Sequence, residues 1–171
     1  MAAGVTASIA VEIKSAQVGA TTGFGTPRAP ANLSFLQQFI AGTLADNQAN
    51  LQYDAEIILT TGQTANLDLA GVLTTGLGAT ITAAEVMLIA LVADSANTTN
   101  IAFFGAASNA FNGPLSGTTP VLTLKPGAAA FLVDPDGWGV TAGTADILQV
   151  TNGSGASATY KVIIIARTAA A

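Results

Sequence analysis

Clusters of Gly, Pro, Asn and Asp cut this chain into short apolar or alternating runs, and that punctuation limits what it can fold into more than any other feature. Nine runs read as strands, at 6–14, 52–60, 65–69, 85–93, 100–104, 121–124, 129–133, 146–151 and 158–167. Turn residues stand between them: Thr61-Gly62, Asp94-Ser95-Ala96-Asn97, Asn112-Gly113-Pro114, Lys125-Pro126-Gly127, Asp134-Pro135-Asp136-Gly137 and Asn152-Gly153-Ser154-Gly155. An apolar period of 3.6 residues is hard to find, and the helix formers Glu and Lys are rare. The best helical candidate is a short piece at 34–40. Many short strands without intervening helices predict an all-β fold, an antiparallel β-sandwich that is jelly-roll-like. At 171 residues the chain is expected to form a single domain over 1–171, with a short tail at 168–171.

The charge content narrows function. Only 9% of the residues are charged, against about 25% in an ordinary soluble domain. Five cations against ten acids leave a net charge of −5, and there is no Cys and no His. Those two zeros exclude a Ser-His-Asp triad, a Cys-His pair, a zinc-finger ligand set and a His proton shuttle, so no enzyme activity is expected. Disulfides are excluded as well. Five scattered cations cannot form the basic stripe that holds a phosphate backbone, so nucleic acid is not an expected partner. Nor is a membrane: the longest aliphatic run, 86–93, lies between Glu85 and Asp94 and falls far short of the ~18–20 residues that span a bilayer. No basic residue precedes the first apolar stretch, and Lys14 follows it. A secretory signal is therefore not expected, and synthesis in the cytoplasm is.

The remaining candidate chemistry is thin. Asp134-Pro135-Asp136-Gly137 opens like a calcium loop, but position twelve is Ala145 and the pattern fails, so a β-turn closed by Asx bonding is expected instead. Asp54 and Glu56 share one face of a strand, as a solvated pair would, and no further feature marks them as the two carboxylates of a glycosidase. Neither Gly76-Leu77-Gly78 nor Gly153-Ser154-Gly155 completes a phosphate-binding motif. No catalytic, cofactor-binding or metal-binding residue is assigned, and no cofactor is expected. Trp138, directly after the acidic turn, is expected in the core or at a subunit interface, with stacking on a sugar as the alternative. Phe103, Phe104 and Phe111 are expected in the core.

Two features point to assembly. Residues 15–32 hold three glycines and two prolines and little that could pack, and read as an extended loop or arm. In 158–167, a period of two puts Tyr160, Val162, Ile164 and Ala166 on one face and Lys161, Ile163, Ile165 and Arg167 on the other. Both faces are apolar at mid-strand, as they are in 86–92, whereas a strand wet on one side alternates apolar with polar. Either another part of the chain or a second chain covers the outer face. A sparsely charged surface does little to oppose association. The candidate interface residues are Phe24, Pro27 and Arg28 in the arm, with Trp138, Ile163 and Ile165.

The wording of several segments is that of a known group. Leu67-Asp68-Leu69-Ala70-Gly71-Val72-Leu73-Thr74 and Gly76-Leu77-Gly78-Ala79-Thr80-Ile81-Thr82 resemble the "dLaGxLtdxfGatlT" segment of tailed-bacteriophage virion proteins. The resemblance continues through 105–111, Lys125-Pro126-Gly127, Phe131-Leu132-Val133, 137–148 and the final turn and strand, and covers roughly 40–167. These are structural turns and strands, and 15–32 lies outside them. The resemblance implies a β-rich head decoration (cement) protein that binds outside the major capsid shell and reinforces it, with no catalytic residues to carry over. Its implied partners are the major capsid protein and itself, as a dimer or trimer, and its implied place is the virion surface. The alternative expectation is a tail or fibre-tip adhesion module that holds host-surface glycan through Trp138.

Overall fold

The structure, a computed structural model, describes residues 4–153 and 155–169. Residues 170–171 of the expected tail, and Ser154 of the last turn, lie outside them. The described residues form thirteen strands and no helix: β1 (Ala7–Val18), β2 (Arg28–Ala41), β3 (Gln48–Ala49), β4 (Leu51–Leu59), β5 (Thr64–Asp68), β6 (Ala70–Thr74), β7 (Thr80–Thr82), β8 (Glu85–Ala93), β9 (Ile101–Phe104), β10 (Val121–Leu124), β11 (Ala129–Gly139), β12 (Ile147–Asn152) and β13 (Ala158–Arg167). The fold is all-β.

Eight strands build two antiparallel four-stranded sheets, in the orders β11-β8-β13-β4 and β10-β9-β12-β5. Their facing sides share one core. The first sheet contributes Val86, Ile89 and Leu91 from β8, and Tyr160, Val162 and Ile164 from β13. The second contributes Ile101 and Phe103 from β9, and Leu148 and Val150 from β12. Burying each such side chain stabilises the fold by about 1.5–3 kcal/mol. Tyr160 meets Phe103 edge to face across the two sheets, with ring centroids 5.4 Å apart. The face of β13 that carries Tyr160, Val162 and Ile164 is the one that packs there.

The two outer faces differ. On the β10-β9-β12-β5 sheet the outward pairs between β5 and β12 include Thr64 with Thr151 (3.2 Å) and Gln149 donating to Asn66 (3.1 Å), while Asp68 and the exposed Val121 also point outward. Such cross-strand pairs suit a wet face. The outer face of the β11-β8-β13-β4 sheet is apolar across β11, β8 and the middle of β13, and polar on β4, where Gln52, Asp54 and Glu56 stand. Register aligns Phe131, Ala90 and Ile163 in one row across it, and Val133, Leu88 and Ile165 in the next.

The nine expected strands all exist, three of them with the bounds read from sequence. Sequence reasoning missed β2, β3, β6 and β7, and the helix expected at 34–40 is corrected to strand. That segment is ambiguous on its own, because Phe35, Leu36, Phe39 and Ile40 have helical spacing while Leu33, Phe35 and Phe39 also keep a period of two. Pairing decides it, for β2 matches β1 along its whole length, from Ala7 opposite Phe39 to Val18 opposite Arg28. Half of the stretch 15–32 is paired strand, at 15–18 and 28–32, and 19–27 connects the two strands. Its tip closes between Thr22 and Gly25 through reciprocal backbone bonds of 2.9 and 3.0 Å. Gly25 sits at φ +107°, where a side chain would be strained.

Candidate interaction surface

The β1–β2 hairpin presents two faces, because residues directly opposite in an antiparallel pair point the same way. One face carries Ala7 with Phe39, Ile9 with Gln37, Val11 with Phe35, and Ile13 with Leu33. At the base of the hairpin this stripe packs on its own sandwich: Phe39, Met87, Leu88, Ile165 and Ala49 form a second buried cluster, with Ala7 and Ile9 against it. Beyond that base the chain leaves the body, and every residue from Glu12 to Leu36 is exposed. Ile13, Leu33 and Phe35 thus continue a packing stripe into solvent, with Phe35 43% exposed.

The base is pinned by a buried arginine. Arg167, at the end of β13, is fully buried; its Nε donates to the Glu85 carboxylate at 2.6 Å, and a terminal nitrogen pairs with the same group. Its remaining N–H groups donate to the carbonyls of Ala45 (2.6 Å) and Asp136. One guanidinium thereby ties the β2–β3 connection, the start of β8 and the irregular stretch of β11 together. Its planar fork of donors suits such a node as a lysine would not. Asn47, in the left-handed region at φ +62°, adds a bond from its N–H to the Pro135 carbonyl (3.0 Å). The sequence expectation placed Arg167 only on the outer face of its strand, and no local motif marks its role.

The hairpin base covers part of the apolar outer face and leaves the rest open. Ile165 is 2% exposed beneath it, whereas Ile163, two residues back on the same face, is 43% exposed, and Phe131 beside it 51%. A shallow groove of about 350 Å³ lies along the boundary, lined by Ile9, Leu88, Ala90, Phe131, Ile163 and Ile165. Its rim bears Asp54, opposite Ile163 on β4, and the exposed Lys161–Glu56 pair at 3.2 Å. The question of what covers the outer face thus has two answers: the hairpin base over Ile165, and nothing among the described residues over Ile163 and Phe131.

The expected interface residues fall in three places. Phe24 sits fully exposed at the hairpin tip. Pro27 and Arg28 lie where the tip rejoins β2, with the N–H of Gly19 donating to the Pro27 carbonyl at 3.0 Å. Ile163 and Ile165 lie on the outer face, one open and one covered. Trp138 is in β11 opposite Val86, half-buried and packed against the main core. Gly113 abuts it so closely that a Cβ there would come within 2.4 Å of the Trp138 Cβ. The core expectations for Phe103, Phe104 and Phe111 hold. What the sequence reading missed was the stripe of Val11, Ile13, Leu33 and Phe35, whose signal was a period of two on both sides of a Gly/Pro-rich turn.

Titratable groups elsewhere look structural. Asp134 accepts the N–H of Asp136 at 3.1 Å, the Asx bond of a tight turn. Burial, and secondarily Tyr53, raises the Tyr160 phenol well above its usual range, and its hydroxyl has no hydrogen-bond partner among the described residues. Burial, then the Asp54 charge, raises Tyr53. Among the described residues no group of three or more acidic side chains is placed to hold a metal ion. No known family model matches the chain, nor does any curated protein or solved structure.

Proposed function

We propose that this chain is a non-enzymatic structural component of a tailed-bacteriophage virion, a head decoration protein that binds the outside of the major capsid shell as a symmetric oligomer and stabilises it. The observation that carries the reading is the apolar row on the outer face of one sheet, left open at Phe131 and Ile163 beside an exposed hairpin. Contiguous exposed apolar surface of this kind marks a protein contact. Sparse charge lowers the desolvation cost of making one. The wording of 67–82 and 105–148 supports the phage assignment by resemblance. Taken in chain order, the eight sandwich strands distribute between the sheets as jelly-roll strands do, an architecture used by viral capsid domains.

Reinforcement needs no bond-making chemistry. A protein that binds the assembled shell and not its dissociated subunits adds binding free energy to the assembled state alone. Many equivalent, individually weak contacts suffice when they act together. The half-buried Trp138, held against Gly113 and the core, does not stand free as a sugar platform would, and this favours the decoration reading over glycan adhesion.

Electron cryo-microscopy of purified particles tests the proposal. The expected result is density for this chain in symmetric clusters on the outer shell, together with shells that break down at lower temperature when it is omitted. Density confined to a tail, or shells equally heat-resistant without the chain, would overturn it.

A further inference from the structure

We infer that the open part of the outer face is filled by the hairpin stripe of a second copy: Val11, Ile13, Leu33 and Phe35 of one chain seat on the Phe131–Ala90–Ile163 row of another. The inference deepens the assembly part of the function proposed above and rests on it, but it does not depend on which surface the assembly then meets.

Three observations select a second copy as the occupant. The first is continuity. The same stripe, through Ala7, Ile9 and Phe39, already packs on Met87, Leu88 and Ile165 of its own outer face, so hairpin stripe on outer sheet is a contact this sequence makes. The next two rungs of the hairpin and the neighbouring row of the sheet are the unmatched remainders of that one contact. The second is reach. At about 3.3 Å per residue, Ile13 lies some 20 Å along β1 from Ala7, and β1 is exposed from Glu12 onward. The distal stripe has therefore left its own groove behind.

The third is charge. The β1–β2 hairpin, 7–41, carries Lys14, Arg28 and one acid, Glu12, which pairs with Lys14 at 2.7 Å, whereas 46–171 carry three cations and nine acids. The hairpin of one copy is positive and the body of the next negative. Asp54 stands at the end of the receiving row, and among the described residues Arg28 makes no ion pair. Like-charged partners would be steered apart, and these are steered together.

The contact is heterologous, stripe to face, so each copy offers one donor and one receiver and the assembly closes as a ring or a reciprocal pair. A mixing experiment on the isolated protein uses that asymmetry. One variant loses the stripe (Leu33→Asp with Phe35→Asp), the other the face (Phe131→Asp with Ile163→Asp). The expected results are a wild-type mass by light scattering that is a multiple of 16.9 kDa, each variant alone at the monomer mass, and a one-to-one dimer when the two are mixed. The mixture regains exactly one intact stripe and one intact face. Val121→Asp, on the outer side of the other sheet, leaves the wild-type mass unchanged. All five positions are exposed, so melting temperatures stay close to wild type, and serine versions serve if an aspartate version does not fold. A monomeric wild type, a variant that alone keeps the wild-type mass, or a mixture that stays monomeric would each overturn the inference. Because no shell is present, these outcomes are independent of whether the chain decorates one.

Discussion

At the scale of single residues, two buried polar groups play opposite parts. Arg167 is fully satisfied by one carboxylate and two carbonyls, and it holds three separate elements at the root of the hairpin. Removing one partner of a buried pair leaves the other charge poorly compensated, so Arg167→Met is expected to lower stability by about 3–5 kcal/mol in urea unfolding. Arg167→Lys keeps the charge but not the fork and should fall between the two. Tyr160 is the converse case, a buried hydroxyl without a hydrogen-bond partner among the described residues. Its folded state favours the neutral phenol, while the unfolded chain ionises near pH 10. The folded state then holds more protons than the unfolded one above that pH, so the stability tied to this group is whole below about pH 10 and is lost as pH rises beyond it. Tyr160→Phe should leave neutral-pH stability nearly unchanged and flatten the alkaline loss, with Tyr53 sustaining a residual slope. An unchanged alkaline profile would contradict this account.

At the scale of elements, the hairpin is two parts under one name. Its base shares a buried cluster with the sandwich, while its distal half is a two-stranded ribbon in water, a structure that is only marginally stable by itself. Backbone amide exchange on dilute protein should separate them: amides of β1 and β2 beyond Val11 exchange fast, and those near Ala7 and Phe39 persist with the sandwich. Protection of the distal half should rise with protein concentration as a second copy covers it, and distal amides as slow as those of β13 in the dilute sample would show that no such uncovered ribbon exists. Here the sequence was only partly legible. The β1 alternation was clear, but 34–40 carried both helical and strand spacing, and the choice came from a partner strand twenty residues away. The short β6–β7 hairpin escaped for a related reason, since Ala70–Thr74 is apolar without a clear alternation and pairs only locally.

At the scale of the whole molecule, the sandwich works as a body with unequal sides. Pairs of Thr, Asn and Gln line the β5–β12 side of one sheet, and the other sheet is apolar on both faces through β8 and the middle of β13. Natural sheets protect such surfaces or use them for association, and here the hairpin base covers Ile165 and leaves Ile163 open. The candidate interface residues read from sequence lie scattered in space, because side-chain period tells which face a residue occupies and not which element lies over that face.

Local chemistry therefore settled the all-β class, since backbone propensity, turn residues and a two-residue period act over a few neighbours and need no partner to be read. Tertiary structure alone decided that 15–32 is half of a long hairpin, that Arg167 closes its root and that Ile165 is covered while Ile163 is not. Those outcomes depend on which distant segments meet, and the free energy of such meetings is written in no single stretch of chain.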